Sequence, residues 1–444
     1  MKKIFIETLG CKINQSESAC ILDEFLQNGF QKAVNMNEAD YIIINTCTVT
    51  NRTDYKSRNL IKKALNLKSN NSNIKLIITG CYSQRFMDSL INENKDSSLL
   101  NSSMVDYIID NNNKHLIYRI ISKSSNYIDF QKAKDFKGFS EMKMNDVSDH
   151  SRAFLKIQDG CNFFCSYCAV PYARGNPRSR SVESIKKQIQ LLLDNNYSEI
   201  VLSGINLGLY NDESNNNYDL SDLINDISKF ESLNLIRLSS IEPQLFNQKL
   251  FDTIRQQNKI CPHYHLPLQT GSDTLLKLHR RRYTVNEFQN TVTKLLEIRP
   301  LTALGFDVIV GLPGETDELF EETYNLLKNI DLTYLHIFIY SKRKYTLAAQ
   351  MPNQVHGKIA KERSKLLVEL SHNKKNQYIN NLIKHKVTLT GVVETKNDEY
   401  YTSTSNRYIK AYFKNKSLTL QGKEFIALSP LEPFKDGILC EVIK

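Results

Sequence analysis

The chain has 444 residues, 41% of them hydrophobic and 24% charged, the make-up of a globular protein of two to three domains. No apolar stretch approaches the roughly 20 residues of a membrane span, and the basic N-terminus lacks a sustained apolar core and a cleavage site. A cytoplasmic protein with no membrane partner is therefore expected. The net charge of +10 favours a polyanionic partner, and nine cysteines in a long chain without a secretion signal favour thiolate ligands over disulfides.

Residues 1–130 alternate strand and helix patterns. KIFIETLG is followed by the amphipathic SESACILDEFLQNGF, ADYIIINTC by TDYKSRNLIKKALNL, and NIKLIITGC closes the series. Continuous Ile/Leu runs between helices predict a parallel sheet covered on both faces. The Asn- and Ser-rich patches KSNNSN, DNNNK and ESNNNY read as polar loop insertions without chemistry. Residues 131–150 read as a polar linker. Across residues 151–373 the alternation restarts, with candidate strands AFLKIQ, EIVLSG, LIRLSS, YHLPLQ, LGFDVIVG and YLHIFIY. Six βα repeats predict a partial barrel, because a full one needs eight strands. A charged helix over about 355–383 leads away from it. Residues 374–444 read as short strands divided by turns, a small β-barrel pattern. They hold 12 Lys and Arg against 7 Asp and Glu, which makes this module the candidate nucleic-acid clamp.

Cys161, Cys165 and Cys168 stand in a CxxxCxxC arrangement just after the first barrel strand. Structural zinc wants four ligands, and no fourth Cys or nearby His is at hand. Three thiolates around an iron–sulfur cluster leave one iron open, a sign of reactivity. Cys11, Cys47 and Cys81 each end a predicted strand. A parallel sheet delivers all carboxyl ends to one edge, so these three converge on one ligand-binding rim. Cys20, Cys261 and Cys440 read as small core hydrophobes.

CNFFCSYC, with an aromatic residue before its last cysteine, resembles the cluster loop of radical S-adenosylmethionine (SAM) enzymes. The likeness extends to LSGINLG, where that superfamily binds the SAM amino group, to RLSSIEP, and to the glycine turn in FDVIVGLPGET, of the kind that approaches adenine. It implies cofactor contacts at Gly204, Ser240 and Gly311. Gln269 and Ser272 in PLQTGSD lie at a strand end where SAM contacts are expected, and Glu242 and Asp307 are placed to hydrogen-bond ribose. His263 and His265 alternate on one strand and are read as lining the barrel.

Two three-cysteine sites, an α/β domain before the barrel and a basic terminal module together resemble the methylthiotransferases over essentially the whole chain. That likeness implies two 4Fe-4S clusters, at Cys11/Cys47/Cys81 and Cys161/Cys165/Cys168, with SAM as cosubstrate, chemistry borne by the cofactors rather than by catalytic side chains, and a terminal module similar to the RNA-holding TRAM domain. TLGCKINQSES and NTCTVTNRTDYKSR look like the wording of tRNA enzymes acting on N6-threonylcarbamoyladenosine beside the anticodon. Enzymes for isopentenyladenosine or a ribosomal protein are the alternatives, and a non-catalytic iron–sulfur RNA-binding or redox-sensing protein is the remoter one. Ile339 departs from the proline of many relatives. The partners implied are the tRNA anticodon stem-loop and an electron donor such as flavodoxin or ferredoxin, and a monomer is expected. Arg174, Arg178, Arg180 and Arg281 are candidate phosphate contacts near the barrel mouth; a solvated basic surface is the plain alternative.

Overall fold

Two isoleucine-rich faces explain the first sheet. In the computed structural model, which describes residues 1–85, 105–123, 130–144, 151–215, 218–397, 399–414 and 422–443, β1 (Lys3–Thr8), β2 (Gln31–Lys32), β3 (Tyr41–Thr46), β4 (Lys75–Gly80) and β5 (Tyr107–Ile108) lie in the order β2-β1-β3-β4-β5. Every pairing is parallel. Side chains alternate across a strand, so Ile4, Ile43 and Ile77 meet Ile21 and Phe25 of α1 (Lys12–Gln27) on one face. Ile42, Ile44, Leu76 and Ile78 meet Ile61 and Ala64 of α2 (Asn51–Asn70) on the other. A reciprocal Thr50–Thr53 capping box fixes the start of α2.

The six expected barrel strands all form: β6 (Ala153–Lys156), β7 (Glu199–Ser203), β8 (Leu235–Leu238), β9 (His263–Gln269), β10 (Ala303–Val310) and β11 (Tyr334–Ile339). They make two parallel ladders, β8-β7-β6 and β9-β10-β11, joined by a bridge between Ile236 and Ile260. No pairing joins β6 to β11 among the described residues, so the barrel is open on one side. α1 lies along that open edge, where Ser16 Oγ donates to the Phe154 carbonyl at 2.9 Å. The N-terminal unit thus closes what six strands cannot.

Helix Gly357–Lys384 belongs to two cores. Leu367 and Leu370 pack with the barrel, while Tyr378, Ile379 and Leu382 pack with the terminal module. That module consists of β12 (Leu389–Val392), β13 (Thr395–Asn397), β14 (Tyr400–Thr404), β15 (Lys410–Phe413), β16 (Phe425–Phe434) and β17 (Gly437–Ile443), in the order β12-β16-β17-β15-β14-β13. It is a curled sheet, a half-barrel, because β12 and β13 do not pair edge to edge among the described residues. Of the expected strand LTLQGKEFIALSP, residues 418–421 lie outside the described residues, as do 145–150 of the linker and 216–217 of ESNNNY. No helix among the described residues is long and apolar enough to cross a membrane.

Candidate functional site

Cys11, Cys47 and Cys81 leave the carboxyl ends of β1, β3 and β4, three adjacent strands. Glycines in the left-handed region precede two of them, Gly10 at φ +99° and Gly80 at φ +102°. A Cβ on Gly10 would stand 2.4 Å from Cys47 Sγ, and one on Gly80 would stand 2.3 Å from the Thr46 carbonyl oxygen. The missing side chains are what let the strand ends close on one another. Polar ties hold that convergence. Asn14 Nδ2 donates to the carbonyls of Leu9 (2.8 Å) and Thr46 (3.0 Å), Thr46 Oγ1 donates to the Thr79 carbonyl (2.6 Å), and Ser57 Oγ donates to the Cys47 carbonyl (3.1 Å). Cys11 is exposed, Cys81 half-buried and Cys47 buried, and burial pushes the Cys47 thiol up to about 12.

The second triad follows β6. Gly160, at φ +76°, again precedes the first cysteine, and its Cβ position lies 2.0 Å from the Asn176 carbonyl oxygen. The loop is pinned from below: Cys161 N–H donates to the Gly175 carbonyl (2.9 Å), Ser166 N–H to the His279 carbonyl (3.1 Å), and Arg282 to the Asn162 carbonyl (3.0 Å). Ser166 Oγ and His279 Nδ1 are 2.6 Å apart. Arg281 donates to Cys165 Sγ at 3.3 Å and pairs with Glu242. Burial pushes the Cys168 thiol up to about 12, so binding a metal here displaces protons.

The two triads share one polar junction. Arg174, six residues after Cys168 and fully buried, donates to Cys81 Sγ (3.2 Å), Glu17 (2.5 Å), Asp159 (3.2 Å) and Asn14 Oδ1 (2.7 Å). Glu17 also accepts from Lys114 (2.6 Å) and Lys156 (2.8 Å). Asn111 Nδ2 donates to the Ala173 carbonyl (2.8 Å) and lies 3.9 Å from Cys81 Sγ. Arg85 sits within the electrostatic reach of both Cys81 and Cys168, and donates to Thr48 Oγ1 (3.2 Å) and to the Lys344 carbonyl. Arg343, beyond β11, reaches Thr48 (2.5 Å), Asn51 (2.6 Å) and Asp54 (2.6 Å). The sheet rim and the barrel mouth therefore face each other.

This geometry revises several expectations. Arg174, Arg178 and Arg180 are buried, and their charges are taken up internally, so the phosphate-contact reading gives way to a structural one. Arg178 lies 3.6 Å from Asp159 and over the Phe136 ring, and Arg180 donates to Ser184. Arg281 likewise faces the cysteine loop rather than solvent. Glu242 is engaged by Arg281, and Asp307 by His265 (2.9 Å) and His336 (3.3 Å), so the ribose-binding reading of these carboxylates competes with internal partners. The Cβ space at Gly311 (φ +76°) is filled by Ala360 at 2.7 Å, so helix packing rather than ligand approach demands that glycine. DNNNK is not an idle loop: it supplies Asn111 and Lys114 to the junction.

The other expected cofactor residues do share the barrel's carboxyl rim. Gly204 follows β7, Ser240 follows β8, Gln269 ends β9 in the left-handed region at φ +67°, and Ser272 lies three residues on. Around them buried polar atoms lack protein partners: Ser272 Oγ, Ser239 Oγ and both amide ends of Gln244, while the buried Asn206 amide has only the Cys161 sulfur beside it. Orphaned buried groups are costly unless a ligand satisfies them, so this rim fits a polar cosubstrate beside a three-thiolate cluster. Asn206, which also reaches Cys161, was hidden to sequence reasoning inside INLGLY. Cys20, Cys261 and Cys440 are buried.

Comparison with known proteins gives the same two parts. Residues 155–327 match the Radical SAM superfamily, and residues 3–101 match the "Uncharacterized protein family UPF0004". The chain is 36% identical to the threonylcarbamoyladenosine tRNA methylthiotransferase MtaB of Aquifex aeolicus, covering 85% of this chain and 89% of that one. It is 35% identical to the protein of the same name from Bacillus subtilis, over 93% and 91%. A tRNA-2-methylthio-N(6)-dimethylallyladenosine synthase of Thermodesulfovibrio yellowstonii is 32% identical, over 93% of each. Among solved structures, the radical SAM methyltransferase TsrM of Kitasatospora setae shares the fold at 13% identity, with TM-score 0.56 over 78% of this chain and 77% of that one.

Proposed function

The chain belongs to the radical SAM methylthiotransferase family, and on that premise we propose that it adds a methylthio group to carbon 2 of N6-threonylcarbamoyladenosine in tRNA, beside the anticodon. The observation that carries the reading is the opposition of two three-cysteine rims across one buried junction, centred on the Arg174 contact with Cys81. Cys11, Cys47 and Cys81 would hold one 4Fe-4S cluster, and Cys161, Cys165 and Cys168 the other. Asn206, Ser239, Gln244 and Ser272 offer buried polar atoms to SAM. When bound, these groups supply the methyl group and the one-electron chemistry that no side chain can provide.

The chain's own residues position and shield. Arg174 and Arg281 each donate to a cysteine sulfur from a buried site, which holds that ligand in place. The α1 edge and the Arg343 contacts hold the N-terminal rim over the barrel, leaving both triads to serve one substrate base. On the terminal sheet, Lys414 stands over the Tyr400 ring (4.8 Å), Lys410 over Tyr412 (5.0 Å) and Lys435 over Phe434 (5.3 Å). Cations interleaved with aromatic faces suit an RNA backbone and its bases. A small ferredoxin- or flavodoxin-like electron donor and a monomeric enzyme complete the reading.

The test is mass spectrometry of tRNA nucleosides from cells with and without the protein. Disappearance of the methylthio form of threonylcarbamoyladenosine is expected. Loss of a methylthiolated dimethylallyladenosine instead would assign the other substrate, and unchanged tRNA would refute the proposal.

A further inference from the structure

The open barrel has a cationic floor. Tyr408, carried by the β14–β15 turn of the terminal module, reaches into the barrel and stacks on His263 with ring centroids 4.4 Å apart. The same ring receives Arg237 at 5.7 Å and Lys12 at 5.3 Å. Arg237 has a carboxylate partner, Glu199 at 2.8 Å, and nearby Arg152 has Glu394 at 3.0 Å. Lys12 differs. Its ammonium stands over the faces of Tyr408 and Phe154 (5.9 Å), and no carboxylate lies within ion-pair distance of it among the described residues. Cation–π contacts are weak beside an ion pair, and this half-buried ammonium has the neutral Tyr408 hydroxyl as a hydrogen-bond partner but no counter-ion. His263 adds a second unsatisfied group: the ring is buried and its Nδ1 has no partner. Lys12 is thus a cation left without a carboxylate of this chain and open to an anion that arrives from outside it.

We propose that Lys12 is the specificity residue that pairs with the carboxylate of the threonylcarbamoyl group, an inference that rests on the substrate reading above. Lys12 follows the ligand Cys11 directly, so one turn presents a thiolate to the cluster and an ammonium to the barrel. Carbon 2 of adenine and the carbon bearing N6 are two bonds apart on one ring. A base held with carbon 2 toward the N-terminal triad must therefore send its N6 substituent close by. A threonylcarbamoyl group ends in a carboxylate and a dimethylallyl group in hydrocarbon, so an unpaired cation here separates the two chemically.

The experiment uses the full-length enzyme, reconstituted without oxygen, and two anticodon stem-loop RNAs, one with threonylcarbamoyladenosine and one with its methyl ester. Wild type favours the acid by about 10- to 100-fold in kcat/KM, the range of a hydrogen bond between charged groups, with KM carrying the change. Lys12→Met brings the ratio within about threefold, Lys12→Gln does the same with a polar side chain should Met fold poorly, and Lys12→Arg restores it. Equal rates for acid and ester with wild type, or an unchanged ratio in Lys12→Met, overturn this inference alone. An enzyme that modifies neither RNA but does modify a dimethylallyl one overturns the substrate reading with it.

Discussion

Exchanging Glu17 for Gln asks whether the two halves of the site are held together by charge. Glu17 is 1% exposed and accepts from Arg174 (2.5 Å), Lys114 (2.6 Å) and Lys156 (2.8 Å). Burial works to raise its pKa, but Arg174, Lys114 and Lys156 outweigh burial and hold it well below the usual carboxylate range. Gln keeps the shape and removes the charge. Lys156 and Arg174 retain Asp159, at 2.6 and 3.2 Å, while Lys114 keeps only the Asn45 side-chain oxygen at 3.0 Å. Removing one member of a buried ion pair costs about 3–5 kcal/mol, because the abandoned charge stays buried. For a chain of 444 residues, at about 2 cal/mol/K of unfolding entropy per residue, the melting temperature falls by on the order of 3–5 °C. Calorimetry of the metal-free protein at pH 7 measures the drop, and iron analysis should show the N-terminal site loading poorly. The pH dependence follows from the sign of the shift. Glu17 and Asp159 are acids with depressed folded values, about 2 for Asp159. Their contribution is therefore complete above the unfolded values of about 4 and is lost as pH falls through the folded ones. Wild type and Glu17→Gln should converge as pH drops below about 4. A variant that melts with wild type at pH 7, or a gap that stays constant down to pH 2, would refute the reasoning.

Gly10→Ala places a methyl group where Cys47 Sγ stands, at a φ that alanine resists. Affinity for iron at the N-terminal triad should fall roughly 10- to 100-fold, while cleavage of SAM to 5′-deoxyadenosine persists. Full iron loading in this variant would show that the glycine does not shape the site. Arg281→Ala removes the donor to Cys165 and strands Glu242, so 5′-deoxyadenosine formation should drop about 10- to 100-fold; an unaffected rate would discount the contact. Replacing Lys414 and Lys435 together by Ala should weaken tRNA binding. The log–log salt slope should become shallower by about 0.9 for each phosphate that is no longer neutralised, and a slope equal to wild type would move the RNA surface elsewhere.

What could be read from the sequence depended on repetition. The strand-ending cysteines at 11, 47 and 81 were legible because a parallel sheet turns distant, equivalent positions into neighbours, and β1, β3 and β4 are adjacent. The six barrel strands were legible because each is a short, mostly apolar run set between helical segments. The charges were not. Arg174 and Arg178 look like part of a solvated basic loop until Glu17 and Asp159 arrive from other elements, and no periodicity reports a pairing across 157 residues. Lys114 and Asn111 were hidden for a further reason: DNNNK has the composition of a turn, and does make one through Asp110, while its flanking residues point inward. The terminal module misled in closure rather than in content, since strand signals cannot tell a barrel from a curled sheet whose edges stay apart.

The buried junction also bears on why the two cysteine sites occur in one chain. Arg174 belongs to the loop that follows Cys168, yet it donates to Cys81, Glu17 and Asn14 of the N-terminal unit. A barrel folded without that unit would bury Arg174 beside Asp159 alone or expose it, and would leave the β6 edge unpaired where Ser16 now donates. An N-terminal unit without the barrel would leave Glu17 facing Lys114 with its second oxygen unsatisfied. Each half therefore supplies the counter-charge that makes the other half's burial affordable. The placement of Cys81 relative to Cys168 is then a consequence of docking, not of either fold alone. Two thiolate sites that must serve one base gain part of their mutual registry from the Arg174 guanidinium, which is the property that Glu17→Gln puts at risk.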